Sequence, residues 1–222
     1  KEWKMLGEQL GGYPHPIINC MIVYKDELYV GGNFTLQADG EDVCFHIAKW
    51  DGEKWSSVKE GGLIKPVNDF TICNDELYVA GDVEGVWSIK TNKIITKLNN
   101  IAKWDGENWF PLINKNSEFV EELITYNNEV YIINLIFLEY GEPSNKIKKC
   151  VGNECLPLPN QIDGAMGISE LTLYNGALYA VTWNKGSNKK SILKWDGSEW
   201  VSCGVTHESV SCMYAYNGEL IV

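Results

Sequence analysis

Several things are scarce or missing in this chain of 222 residues, and each removes a class of function. Basic residues are outnumbered: 19 Lys and Arg face 30 Asp and Glu, for a net charge of −11. A polyanion meets repulsion from such a surface, so nucleic acid is not expected as a partner. The densest basic spots, Lys146–Lys149 and Lys189–Lys190, read as solvated loop charge. No apolar run approaches the roughly 18 residues that a membrane helix needs, so no membrane insertion is expected. Histidine occurs three times, as His15, His46 and His207, scattered and without metal-ligand spacing. No nucleophile elbow, P-loop or HExxH is present. The seven cysteines are odd in number and irregularly spaced, which excludes a full disulfide framework.

What is abundant is aromatic and periodic. The 9 Trp and 11 Tyr recur at fixed offsets within a repeat of about 45–50 residues. One half of the repeat reads MIVYKDELYVGG (21–32), FTICNDELYVAG (70–81), LITYNNEVYIIN (123–134), LTLYNGALYAVT (171–182) and MYAYNGELIV (213–222). Each is a pair of alternating apolar runs around a polar dipeptide: Lys-Asp, Asn-Asp, Asn-Asn, Asn-Gly and Asn-Gly. Period-two alternation predicts strands. Asn-Gly and its relatives supply the positive φ that two-residue hairpin turns require. The other half reads HIAKWDGEKWSSV (46–58), NIAKWDGENWFPL (100–112), KKCVGNECLPL (148–158) and SILKWDGSEWVSC (191–203). Here Trp50 and Trp55, Trp104 and Trp109, and Trp195 and Trp200 bracket an Asp-Gly turn, which predicts a second hairpin with its tryptophans packed across it. Segments 84–99 and 134–147 are read as loop with strand extension.

Two hairpins per repeat make a four-stranded antiparallel meander that buries neither face alone, so neighbours must stack. The expectation is an all-β fold: a β-propeller in a single domain, 1–222. Its four-stranded antiparallel blades fall at about 17–58, 70–112, 123–158 and 171–203. Residues 211–222 match the inner strands of a further blade and residues 1–7, with Trp3, its outer strand. Such a blade closes a five-bladed ring, or the chain is a fragment of a larger propeller.

The IAKWDGxxW motif and the LYVGGNFT of residues 28–35 resemble the Trp-Asp-Gly repeats of large bacterial and fungal cell-surface propeller proteins. These are grouped with the kelch and galactose-oxidase central-domain superfamily. The glycine-rich LGEQLGG (6–12) looks like that family's link between blades. The resemblance covers almost the whole chain, implies the propeller fold and favours an extracellular or cell-surface location over a cytoplasmic one. The recurring residues are structural, so the resemblance names no site. A copper oxidase of the galactose-oxidase kind needs Tyr, His and a cross-linked Cys converging on a metal, and the histidines here are not so placed. The turn sequences DGENW and DGSEW fall short of a sialidase Asp box, lacking its preceding Ser or Thr and its extra residue. ADGED (38–42) lacks the alternating ligands of a calcium loop. No cofactor, metal or catalytic residue is therefore expected.

Two departures from the repeat remain. In the third blade Cys150 and Cys155 replace the Trp pair and should lie opposite each other. They form a disulfide in an oxidising compartment, or two packed thiols in a reducing one. The second connection of each blade varies: 33–45, 82–99, 135–147 and 183–190. Variable loops on a rigid scaffold are where recognition sits. The candidate ligand-binding residues are Trp87 with Asp82, Tyr140, and Trp183 with Asn184. The function expected is non-catalytic recognition of a glycan or protein. The alternative is a structural or assembly module of a larger surface or particle protein; a hydrolase or oxidase ranks third.

Overall fold

The computed structural model describes Leu6 and residues 15–38, 42–112, 119–136, 144–158, 162, 165–184, 189–206, 210 and 212–222. Their regular structure is all strand. In chain order these are β1 (Ile17–Tyr24), β2 (Glu27–Ala38), β3 (Asp42–Trp50), β4 (Trp55–Ser57), β5 (Gly61–Leu63), β6 (Val67–Cys73), β7 (Glu76–Gly81), β8 (Gly85–Ser88), β9 (Lys93–Lys97), β10 (Ile101–Trp104) and β11 (Trp109–Pro111). There follow β12 (Phe119–Tyr126), β13 (Glu129–Ile136), β14 (Ser144–Val151), β15 (Glu154–Pro157), β16 (Ala165–Tyr174), β17 (Ala177–Asn184), β18 (Lys190–Trp195), β19 (Trp200–Val205), β20 (Tyr214–Tyr216) and β21 (Glu219–Ile221).

The strands form four-stranded antiparallel blades: β1-β2-β3-β4, β6-β7-β10-β11, β12-β13-β14-β15 and β16-β17-β18-β19, with a β20–β21 hairpin after them. The four blades span Ile17–Ser57, Val67–Pro111, Phe119–Pro157 and Ala165–Val205. Of the further blade, Leu6 is described and the rest of 1–7 lies outside the described residues. The chain divides into two compact units, Lys1–Val120 and Glu121–Val222.

Local chemistry explains why the hairpins close. At the first turn of each repeat both central residues have positive φ: Lys25 and Asp26, Asn74 and Asp75, Asn127 and Asn128, Asn175 and Gly176, Asn217 and Gly218. That pair of left-handed residues matches the twist of the flanking strands. The Trp-Asp-Gly turns work differently. Asp51, Asp105 and Asp196 each turn one carboxylate oxygen onto the backbone N–H groups two and three residues on, at 2.7–2.9 Å. Those N–H groups hold all three carboxyls below the ordinary aspartate range. Across each turn the tryptophans pair in register, Trp50 with Trp55, Trp104 with Trp109 and Trp195 with Trp200, with ring centroids 5.1–5.3 Å apart.

The third blade differs in turn as well as in side chains. Val151 stands where the others have Asp, so no carboxylate can organise the loop. Pairing instead runs one step further, to Val151 with Glu154, and Gly152 takes the positive φ of a tight two-residue turn. Cys150 and Cys155 are directly paired, buried and joined as a disulfide. Cys44 and Cys73 are buried, while Cys203 and Cys212 are exposed.

Within each unit the blades stack face to face. In the first, Tyr24, Tyr29 and Ile47 pack on Phe70, Leu77, Val79 and Trp104; in the second, Tyr131, Ile133 and Ile147 pack on Ile168, Leu171, Leu178 and Trp195. Side-chain latches tie one repeat to the next. Asn19 Nδ2 donates to the carbonyl of Val67 at 2.7 Å, and Asn68 Nδ2 to that of Val120 at 2.9 Å. Leu171 N–H donates to both carboxylate oxygens of Glu122 at 3.0 Å. Tyr24 and Tyr174 donate their hydroxyls to the carbonyls of Asp75 and Gly218, which sit in the first turn of the following repeat.

The segment 84–99 corrects one expectation. It is not an extension of the second blade but a separate hairpin, β8–β9. Through β5 it joins the sheet of the first blade, giving the order β1-β2-β3-β5-β8-β9 with β4 also on β3.

Candidate functional site

The second connections are long and varied, and the two units carry their aromatics in different settings. In the first unit Trp87 lies within β8, half-buried, paired with Gly62 on one side and Ile94 on the other. It is therefore part of a sheet face, not of a loop tip. Its neighbour Ser88 is fully buried and donates to Glu60 at 2.8 Å, which pins the strand. Asp82 accepts from Lys65 Nζ at 3.2 Å, and Glu84 stands 3.5 Å from the same ammonium. The hydrogen bond and the two negative charges raise the Lys65 pKa. All three side chains are exposed, so this ion pair is worth little. His46, on β3, has a positive φ and a buried Nδ1 without a hydrogen-bond partner among the described residues. Burial lowers its pKa, so the ring is neutral near pH 7.

The second unit brings more together. Trp183 pairs in register with Gly167 on β16 and with Lys190 on β18. The missing side chain at Gly167 is what lets the indole lie there: a Cβ would sit 2.2 Å from Trp183 Nε1 and 2.6 Å from its Cε2. The ring is braced against the strand yet remains 42% exposed. Lys190 Nζ lies 5.9 Å from the indole centroid and donates to the carbonyl of Val210 at 2.6 Å and to Ser169 Oγ at 3.2 Å. An ammonium has three donors, and the described residues take up two of them.

The next row of the same face, by the period-two alternation, is Glu170, Val181 and Ile192. Val181 and Ile192 pack with Val210 and Met213. Burial raises the Glu170 pKa, opposed by the Met213 backbone N–H and the Lys190 charge. An exposed aromatic, an ammonium, a hydroxyl and a carboxyl thus lie close together on the fourth blade, beside Val210 and Met213. This arrangement can stack on a flat apolar surface while hydrogen-bonding at its edge.

Of the residues singled out from the sequence, Trp183 is in this cluster. Asn184 follows it at the end of β17, and its side chain is outside the described residues. Tyr140 also lies outside them. Trp87 and Asp82 belong to the other unit. Sequence reading missed Lys190, taken as solvated charge, together with Gly167, Ser169 and Glu170. The signal for Lys190 was present: extending the β17–β18 hairpin outward from its Tyr179–Lys194 pair puts Lys190 opposite Trp183. Among the described residues no three His, Cys, Asp or Glu side chains gather as a metal site. No helix among them is long and apolar enough to cross a membrane.

No family model and no curated protein matches the chain. Solved structures similar to it include a family 117 glycoside hydrolase of the marine bacterium Zobellia galactanivorans, at 10% identity and TM-score 0.45, covering 89% of this chain and 74% of that one. Another is an α-L-arabinofuranosidase of Clostridium thermocellum, at 12% identity and TM-score 0.40, covering 86% and 72%. At that distance neither enzyme's chemistry carries over to this chain.

Proposed function

We propose that this chain is a non-catalytic recognition module that binds a glycan at Trp183. The observation that supports this reading is the indole itself: seated against Gly167, open to solvent, with the Lys190 ammonium beside it. A pyranose presents C–H groups on its faces and hydroxyls on its rim. Trp183 offers the face, while Lys190, Ser169 and Glu170 offer a donor, a hydroxyl and a carboxyl for the rim. A rigid aromatic anchor beside a few placed polar groups is the usual form of a small-molecule site. The Cys150–Cys155 disulfide favours an oxidising, extracellular setting, where glycans are met.

The test is a glycan-array screen of the purified chain with Trp183→Ala and Trp87→Ala. Binding that disappears in Trp183→Ala and survives in Trp87→Ala is the expected result. A blank array from folded protein removes the reading.

A second reading, a structural or assembly module, has one observation in its favour. Met21 and Val23 stand exposed in a row along one face of β1. An apolar row of this kind fits lateral packing in a larger protein.

A further inference from the structure

The β8–β9 hairpin leaves the first unit with a sheet edge at β9. The order of that sheet ends there, and among the described residues no strand pairs with its outer side. An edge is a row of backbone donors and acceptors ready for another strand. This one is basic where the chain as a whole is acidic. Residues 85–98 contain Lys90, Lys93 and Lys97 and no acid, in a chain of net charge −11. All three lysines are exposed, and among the described residues none is in an ion pair. Between Lys93 and Lys97 sit Ile94 and Ile95, 46% and 41% exposed. Ile95 is the extra residue of a bulge, because Trp87 pairs with Ile94 and Val86 with Thr96.

Lysines and a bulge are also how proteins blunt an edge against aggregation. A merely blunted edge has no need to keep two β-branched apolar residues in water at its centre. The lysines make this edge selective. A second copy brought to it in register sets lysine against lysine, whereas an acidic strand meets opposite charge at both ends and β-branched side chains between. We infer that β9 is a docking edge for an extended acidic peptide segment, which adds to the β5-β8-β9 sheet as a further strand. The inference rests on the first unit alone and stands or falls independently of the glycan reading.

Hydrogen exchange followed by mass spectrometry tests it, with the intact chain and a capped octapeptide alternating Glu and Val as probe. The expected result is slowed exchange at residues 93–97, with little change in the second unit. The double variant Lys93→Glu, Lys97→Glu should weaken binding by about tenfold or more, since two exposed attractive pairs become repulsive. The same peptide carrying backbone N-methyl groups on alternate residues should give no protection, because it cannot form the ladder. Three results overturn the proposal. One is no protection by the acidic peptide. Another is equal protection by the N-methylated peptide, which means charge attraction without strand addition. The third is protection of 93–97 that rises with protein concentration alone and accompanies a dimer in sedimentation, which makes a second copy the occupant.

Discussion

Gly167→Ala separates the presence of the Trp183 indole from its placement. The added Cβ would stand 2.2, 2.6 and 2.9 Å from Nε1, Cε2 and Cζ2 of the ring. Ordinary contact begins at about 3.5 Å, so the indole must move by roughly 1 Å or more. It has somewhere to go, being 42% exposed. The folding cost therefore falls at the low end of overpacking, about 1 kcal/mol. Gly167 does not need a left-handed φ, so alanine recovers roughly 0.5–1 kcal/mol through lower backbone entropy in the unfolded chain. The two nearly cancel, and thermal stability should hardly change. Binding should change more. Removing a central aromatic anchor typically costs 2 kcal/mol or more, about 30-fold in affinity. Displacing it should cost an intermediate amount, around tenfold. The assay is calorimetric titration of wild type, Gly167→Ala and Trp183→Ala with the best array glycan, beside thermal melts of each. Wild-type affinity in Gly167→Ala would refute the bracing argument. A large loss of thermal stability would show that the ring cannot swing free.

Three further outcomes are expected. Reducing the Cys150–Cys155 bridge, or replacing both residues with Ala, should lower stability by about 2 kcal/mol, the closure entropy of so short a loop, seen in urea melts with and without reductant. Asn68→Ala removes the donor to Val120 and should cost about 1 kcal/mol in chemical denaturation. Asp51, Asp105 and Asp196 have folded pKa values lowered by backbone N–H groups, so their contribution to stability is complete above the ordinary aspartate pKa and is lost as pH falls through the depressed values. Carboxyl-carbon NMR titration should place all three midpoints below the normal range, and Asp105→Asn should flatten part of the acid limb of stability.

The blades were legible because three kinds of signal agree. Alternation gives the strands, positive-φ dipeptides give the first turns, and Trp-Asp-Gly gives the second. The β8–β9 hairpin was not legible for a physical reason. Its strands are short, its bulge at Ile95 breaks the alternation, and its partner β5 is Gly61-Gly62-Leu63, which carries no strand signal. The site was half legible. Trp183 stood out as an aromatic off the repeat. Gly167 matters through the side chain it lacks, and Lys190 and Glu170 matter through register, and neither property shows until the strands are paired.

The most direct measurement of the central claim is the indole N–H spectrum of the nitrogen-15-labelled chain during glycan titration. The Trp183 resonance is assigned by its loss in Trp183→Ala. The account predicts that this resonance moves most, along one saturable curve. A still Trp183 signal while another tryptophan shifts would contradict it.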